Sequence, residues 1–174
     1  TLNIDGVLFR FIDTAGLRET SEVVEKIGIE RTFKKISEAS IVLGMVDLTR
    51  DLDTTLETVT DIIESVDLRC QKLVILLNKT DIFDINKNVS IINDIVSLIE
   101  SKGFKTQLTN VGEIHGTESN FEENSSKDVV NILPISAKTG SGIRVLRNLL
   151  ASTQRDLLGD SDTTLVTNQR HVQA

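Results

Sequence analysis

Three short stretches of this 174-residue sequence combine residue types able to grip a nucleotide. In Asn78-Lys79-Thr80-Asp81 the aspartate is the informative residue. A guanine base presents two adjacent N–H donors on its Watson–Crick edge, and one carboxylate can accept both as a bidentate pair. Asp81 is the candidate for that contact. Asn78 is placed to hold neighbouring loops and contact the base, and the methylene stem of Lys79 can lie along the purine face. In Ser136-Ala137-Lys138-Thr139-Gly140 a backbone amide near Ala137 is a candidate donor to the guanine carbonyl, with Lys138 covering the other side of the ring. Asp13-Thr14-Ala15-Gly16 supplies what a phosphate end would need. Asp13 suits a magnesium ion, contacted through water because magnesium keeps much of its hydration shell. Gly16 can bring an unobstructed backbone amide up to a terminal phosphate.

Taken singly, each stretch reads equally as a helix cap or a strand-to-helix turn, since Asp, Asn, Ser and Gly are common there. What favours a site is their common placement. Apolar runs at Val7 to Ile12, Leu73 to Leu77 and Val129 to Leu133 each lead into one of them, and a fourth run covers Ile41 to Val46. Between the runs the apolar residues recur with helical period: Ile29, Phe33 and Ile36; Leu56, Val59, Ile63 and Val66; Val89, Ile92, Val96 and Ile99; Ile143, Leu146 and Leu150. This alternation predicts an α/β fold with a mainly parallel sheet flanked by helices, and it makes Val7 to Ile12 an interior strand. In such folds ligands sit beyond the carboxyl ends of the strands, where all three stretches fall.

The length fits one domain with a sizeable core. An apolar share of 39% is ordinary for a globular chain, and no run of 18 apolar residues marks a membrane helix. The single cysteine, Cys70, has no partner for a disulfide or a thiolate metal site, which fits a reducing, cytoplasmic setting. A net charge of −7 argues against the domain binding nucleic acid unaided, because phosphate neutralisation needs clustered Lys and Arg. Residues 106–127 are polar and rich in Glu, Asn and Ser, and read as an inserted surface loop. The domain is expected over residues 1–158, with residues 159–174 as a linker and the start of a further helix.

The order of the three loops resembles the translation-factor-related GTPases, whose G domains are P-loop NTPase-like. Asp13-Thr14-Ala15-Gly16-Leu17-Arg18-Glu19-Thr20 and Val24-Glu25-Lys26-Ile27-Gly28-Ile29-Glu30-Arg31 are similar to the switch II region of the MnmE (TrmE) family of tRNA-modification GTPases. Asn168-Gln169-Arg170-His171 is similar to the start of that family's returning helical segment. The resemblance implies GTP hydrolysis with Mg2+, and pairing of two G domains in a K+-dependent homodimer. It also implies work with an MnmG-like FAD protein on the wobble uridine of tRNA. It assigns Asp13, Thr14, Ala15, Gly16, Asn78, Lys79, Asp81, Ser136, Ala137 and Lys138 to the nucleotide, and Glu25 to orienting the attacking water.

One family feature does not occur in this sequence. No Gly-rich phosphate loop ending in Gly-Lys-Ser/Thr is found, although its backbone amides and lysine hold the phosphates. The expectation is a partial G domain that starts just after switch I and, in isolation, binds GTP poorly. Two other readings stand beside this one: a Der-like ribosome-assembly GTPase, which shares the Asp-Thr-Ala-Gly loop, and an interaction module that uses the fold without nucleotide.

Overall fold

A computed structural model describes residues 1–10, 34, 36–109 and 129–159. At its centre is β4 (Lys72–Asn78), paired in parallel with β3 (Ile41–Asp47) on one side and β6 (Val129–Pro134) on the other; β5 (Lys105–Leu108) adds to the far edge of β6. The four strands run in the order β3-β4-β6-β5, all parallel. Leu73 to Leu77 are buried on both faces, which is why this strand is continuously apolar rather than alternating.

Helices cover the two faces. The helix α1 (Leu52–Glu64) starts where Asp51 Oδ1 accepts from the Thr54 amide at 2.9 Å, satisfying one of the free donors of the first turn. With α2 (Val89–Ser101) it packs Val59, Ile62, Ile63, Ile92, Ile95 and Ile99 against Leu73, Ile75, Leu77, Val130 and Ile132. On the opposite face α3 (Ile143–Gly159) sets Val145 and Leu149 against Val74, Leu76, Leu133 and Ile135. The α2 face departs slightly from its expected composition. Val89 is exposed and Ile95 takes a fully buried place instead, because Val89 is the helix's first residue and precedes the turn that meets the sheet.

Two strands differ from expectation. Val7–Phe9 forms β2, the second arm of an antiparallel hairpin with β1 (Leu2–Ile4), and Leu8 is 68% exposed. Among the described residues β2 pairs with β1 alone, so this part of the run is not an interior strand of the parallel sheet. The reason is local: Asp5 and Gly6 both have positive φ, 50° and 86°, as a two-residue type I′ turn requires, and Asn3 Oδ1 accepts from the Gly6 amide at 3.0 Å. The hairpin is held by Ile4, which is buried with Leu150 and Ala151 of α3. The second difference is at the polar stretch: Thr106, Gln107 and Leu108 are part of the edge strand β5, so the inserted loop does not begin at residue 106. Residues 110–127 and 160–174 lie outside the described residues.

The link between β3 and the layer before it is also specific. Gln71, buried just before β4, donates through Nε2 to the carbonyls of Ile36 and Ala39, each at 2.6 Å, and accepts the Asp67 amide on Oε1 at 2.9 Å. One amide side chain thus ties the backbone that precedes β3 to the backbone that follows α1.

Candidate functional site

The parallel register brings the strand ends to one level. Asp47, the last residue of β3, is the partner of Asn78, the last of β4, and Leu77 is the partner of Pro134 at the end of β6. Backbone hydrogen bonds then stitch the loops that leave these ends. Ile135 N donates to Leu77 O at 2.8 Å, Thr80 N to Ile135 O at 3.1 Å, and Leu48 N to Asn78 O at 3.3 Å.

On this platform the structure brings Asn78, Lys79, Asp81, Ser136, Ala137 and Lys138 together. The Ser136 hydroxyl, fully buried, donates to Asp81 Oδ1 at 2.8 Å and accepts from the Thr139 amide at 3.2 Å. The Asp81 side chain is 14% exposed; its second oxygen lies 3.8 Å from Lys138 Nζ, which projects into solvent. A carboxylate held this way is aimed by its neighbours and keeps acceptor capacity, since each oxygen offers two lone-pair directions. Asn78 does tie the loops together: its Oδ1 accepts from the Ala137 amide at 3.0 Å. That amide is engaged within the protein. Asn78 Nδ2 reaches Met45 Sδ at 3.6 Å, a weak contact.

Lys79 has φ +73°, the left-handed region that a non-glycine residue rarely occupies. Its Nζ lies 2.8 Å from Asp47 Oδ2. Asp47 also accepts, on Oδ1, from the Thr49 amide at 3.0 Å and the Thr49 hydroxyl at 2.7 Å. Partial desolvation is the largest single influence on this carboxyl and acts to raise its pKa. Hydrogen bonds from Lys79 and Thr49, with the charge of Lys79, outweigh it and hold Asp47 at about 2. Asp47 was not singled out by residue type. The signal available was positional, for it ends an apolar strand on the same sheet edge as Asn78.

Asp13, Thr14, Ala15, Gly16 and Glu25 lie outside the described residues. Among the described residues no group of three or more His, Cys, Asp or Glu is placed to hold a metal ion, and no helix is long and apolar enough to cross a membrane.

A parallel sheet whose strand ends carry an aimed carboxylate and two stitched loops defines a P-loop NTPase-like G domain of the GTPase class. Comparison with known proteins agrees. The profile of the family described as 50S ribosome-binding GTPase matches residues 1–79. The tRNA modification GTPase MnmE of Christiangramia forsetii is 37% identical over 99% of this chain and 32% of its own length. That of Bacteroides fragilis is 34% identical over 100% of this chain and 31% of its own length. A shorter match to the MnmE of Parabacteroides distasonis is 65% identical over 52 residues, 30% of this chain and 11% of that protein. The chain is thus similar from end to end to part of these MnmE GTPases, and it spans about a third of their length.

Proposed function

We propose that this chain supplies the guanine-recognition side and the switch II side of a GTP-hydrolysing G domain within a tRNA-modification protein. The observation that carries the base assignment is the Ser136 hydroxyl on Asp81 Oδ1 at 2.8 Å, which aims a largely buried carboxylate at the mouth formed by the strand ends. Guanine's N1–H and exocyclic amine match that acceptor pair, and adenine offers no such pair of donors. The test is Asp81→Asn in the complete protein, with guanosine and xanthosine triphosphates compared by titration. Guanine affinity is expected to fall and xanthine affinity to rise, because the amide presents one acceptor and one donor. An unchanged preference removes Asp81 from the site.

The switch II assignment rests on the match of Val24 to Arg31 with the family. Glu25 would orient the attacking water, and Asp13 would hold Mg2+ through water, which neutralises charge on the phosphates. A K+-dependent G-domain homodimer follows from the same resemblance. Glu25→Ala in the complete protein is expected to lower GTP turnover in K+ buffer while sparing nucleotide affinity. Normal turnover, or equal wild-type turnover in K+ and Na+, refutes the corresponding role. The isolated 174-residue chain is expected to bind guanine nucleotide poorly, since its sequence holds no phosphate loop; submicromolar affinity would overturn that expectation. The names of the relatives support tRNA as the ultimate object; an MnmG-like FAD protein as co-worker follows from the family resemblance alone. Deleting the gene should abolish the wobble-uridine modification, and intact modification refutes the assignment.

A further inference from the structure

Lys79 is not loose at the mouth of the site. Its backbone sits in the left-handed region at φ +73°, and its ammonium is gripped 2.8 Å away by Asp47 Oδ2. Asp47 is itself immobilised, for its other oxygen takes both the amide and the hydroxyl of Thr49, and Arg50 Nε stands 3.8 Å from Oδ2. The residue is also fixed by the sheet, being the register partner of Asn78, which directly precedes Lys79. A lysine held at both its backbone and its ammonium has its four-carbon stem drawn out as a rail. The stem is the part able to pack on an aromatic face.

We propose that Asp47 is a positioning residue for guanine nucleotide binding: by gripping Lys79 Nζ it fixes the lysine stem against the face of the bound base while Asp81 reads the base's edge. This assignment rests on the guanine reading above. The energetic logic is preorganisation. An exposed ion pair of this kind adds little to stability. A free lysine, however, loses rotamer freedom when it is pinned against a ligand, and a stem already pinned avoids that loss on binding. With one rotamer-rich side chain immobilised in advance, the affinity gained is about 3- to 10-fold.

The test is a double-mutant cycle in the complete protein, titrated with a fluorescent guanosine diphosphate. Asp47→Asn is expected to weaken binding about 3- to 10-fold in the wild-type background. It should add nothing in a Lys79→Met background, where the stem persists but the grip is gone. Asp47→Glu, which keeps an anionic anchor, should recover most of the loss. Equal loss in both backgrounds, or Asp47→Glu no better than Asp47→Asn, overturns the proposal, because a purely structural Asp47 would behave so. If Asp47→Asn does not fold by circular dichroism, Lys79→Met alone decides, and wild-type affinity in that variant overturns the proposal. A protein that switches to xanthine with Asp81→Asn yet lacks the Asp47–Lys79 coupling refutes this assignment alone. A wild type that binds no guanine nucleotide refutes the guanine reading and this assignment with it.

Discussion

Replacing Gly142 by alanine should damage the fold through the loop that carries Ser136, and the structure supplies its own control. Gly142 has φ +75°, and a Cβ there would lie 2.5 Å from Pro134 O, 2.9 Å from Ile135 Cγ2 and 3.2 Å from Ile135 Cα. Two of those atoms are backbone, fixed by the Ile135 N to Leu77 O hydrogen bond of 2.8 Å, so the loop has little room to give. Gly140, two residues earlier, has φ +81° and nothing within 4 Å of the same position. Both substitutions therefore incur the left-handed backbone penalty of about 1 kcal/mol. Gly142→Ala alone adds the overlap, for which overpacking of a close-packed site costs roughly 1–3 kcal/mol more. The expected losses are thus about 1 kcal/mol for Gly140→Ala and about 2–4 kcal/mol for Gly142→Ala. The sequence has no Trp or Tyr, so equilibrium urea unfolding is best followed by far-ultraviolet circular dichroism. Equal losses for the two variants would refute the reasoning, since they would show that the close approach to Pro134 carries no energy.

Two further outcomes follow from the hydrogen bonds of the site. Ser136→Ala leaves the Asp81 carboxylate without its 2.8 Å donor and the Thr139 amide without its acceptor. Stability should fall by about 1–2 kcal/mol, and guanine affinity of the complete protein should fall several-fold; wild-type affinity would show that the hydroxyl does not aim Asp81. The acid dependence should carry the mark of Asp47, whose carboxyl is lowered from 3.8 to about 2. A depressed carboxyl pKa contributes stability above its unfolded value and loses it as pH falls through the folded one. The shift corresponds to about 2 kcal/mol, and solvent screening of a side chain that is 28% exposed reduces it to about 1 kcal/mol. The stability gap between wild type and Asp47→Asn should therefore be full at pH 5 and shrink between pH 4 and 2. A gap that stays constant over that range contradicts the assigned pairing.

Much of the architecture was legible because burial on two faces leaves a plain trace. The continuous apolar run Leu73 to Leu77 fitted a strand buried on both faces, and the helical spacing of Val59, Ile63, Ile92 and Ile99 fitted helices packed on a sheet. The identities of Asp81 and Asn78 likewise announced recognition chemistry, because few residue types accept a bidentate pair or bridge two loops. The β1–β2 hairpin was signalled by Asp5-Gly6 between Leu2-Asn3-Ile4 and Val7-Leu8-Phe9, but the apolar character of Val7 to Ile12 suggested an interior strand instead. Edge strand β5 left no trace in residue type, since Lys105-Thr106-Gln107-Leu108 gains its form only from the β6 edge beside it.

The sequence by itself determined which side chains carry the chemistry proposed for guanine recognition and which runs are buried, because both depend on local chemistry and period. Only the tertiary structure decided how those side chains are held. That Ser136 aims Asp81 across 55 positions, that Asn78 takes the Ala137 amide across 59, and that Asp47 grips Lys79 all depend on parallel strands ending at one level. Register between distant segments is set by the packing of the whole sheet, and no single stretch of sequence encodes it.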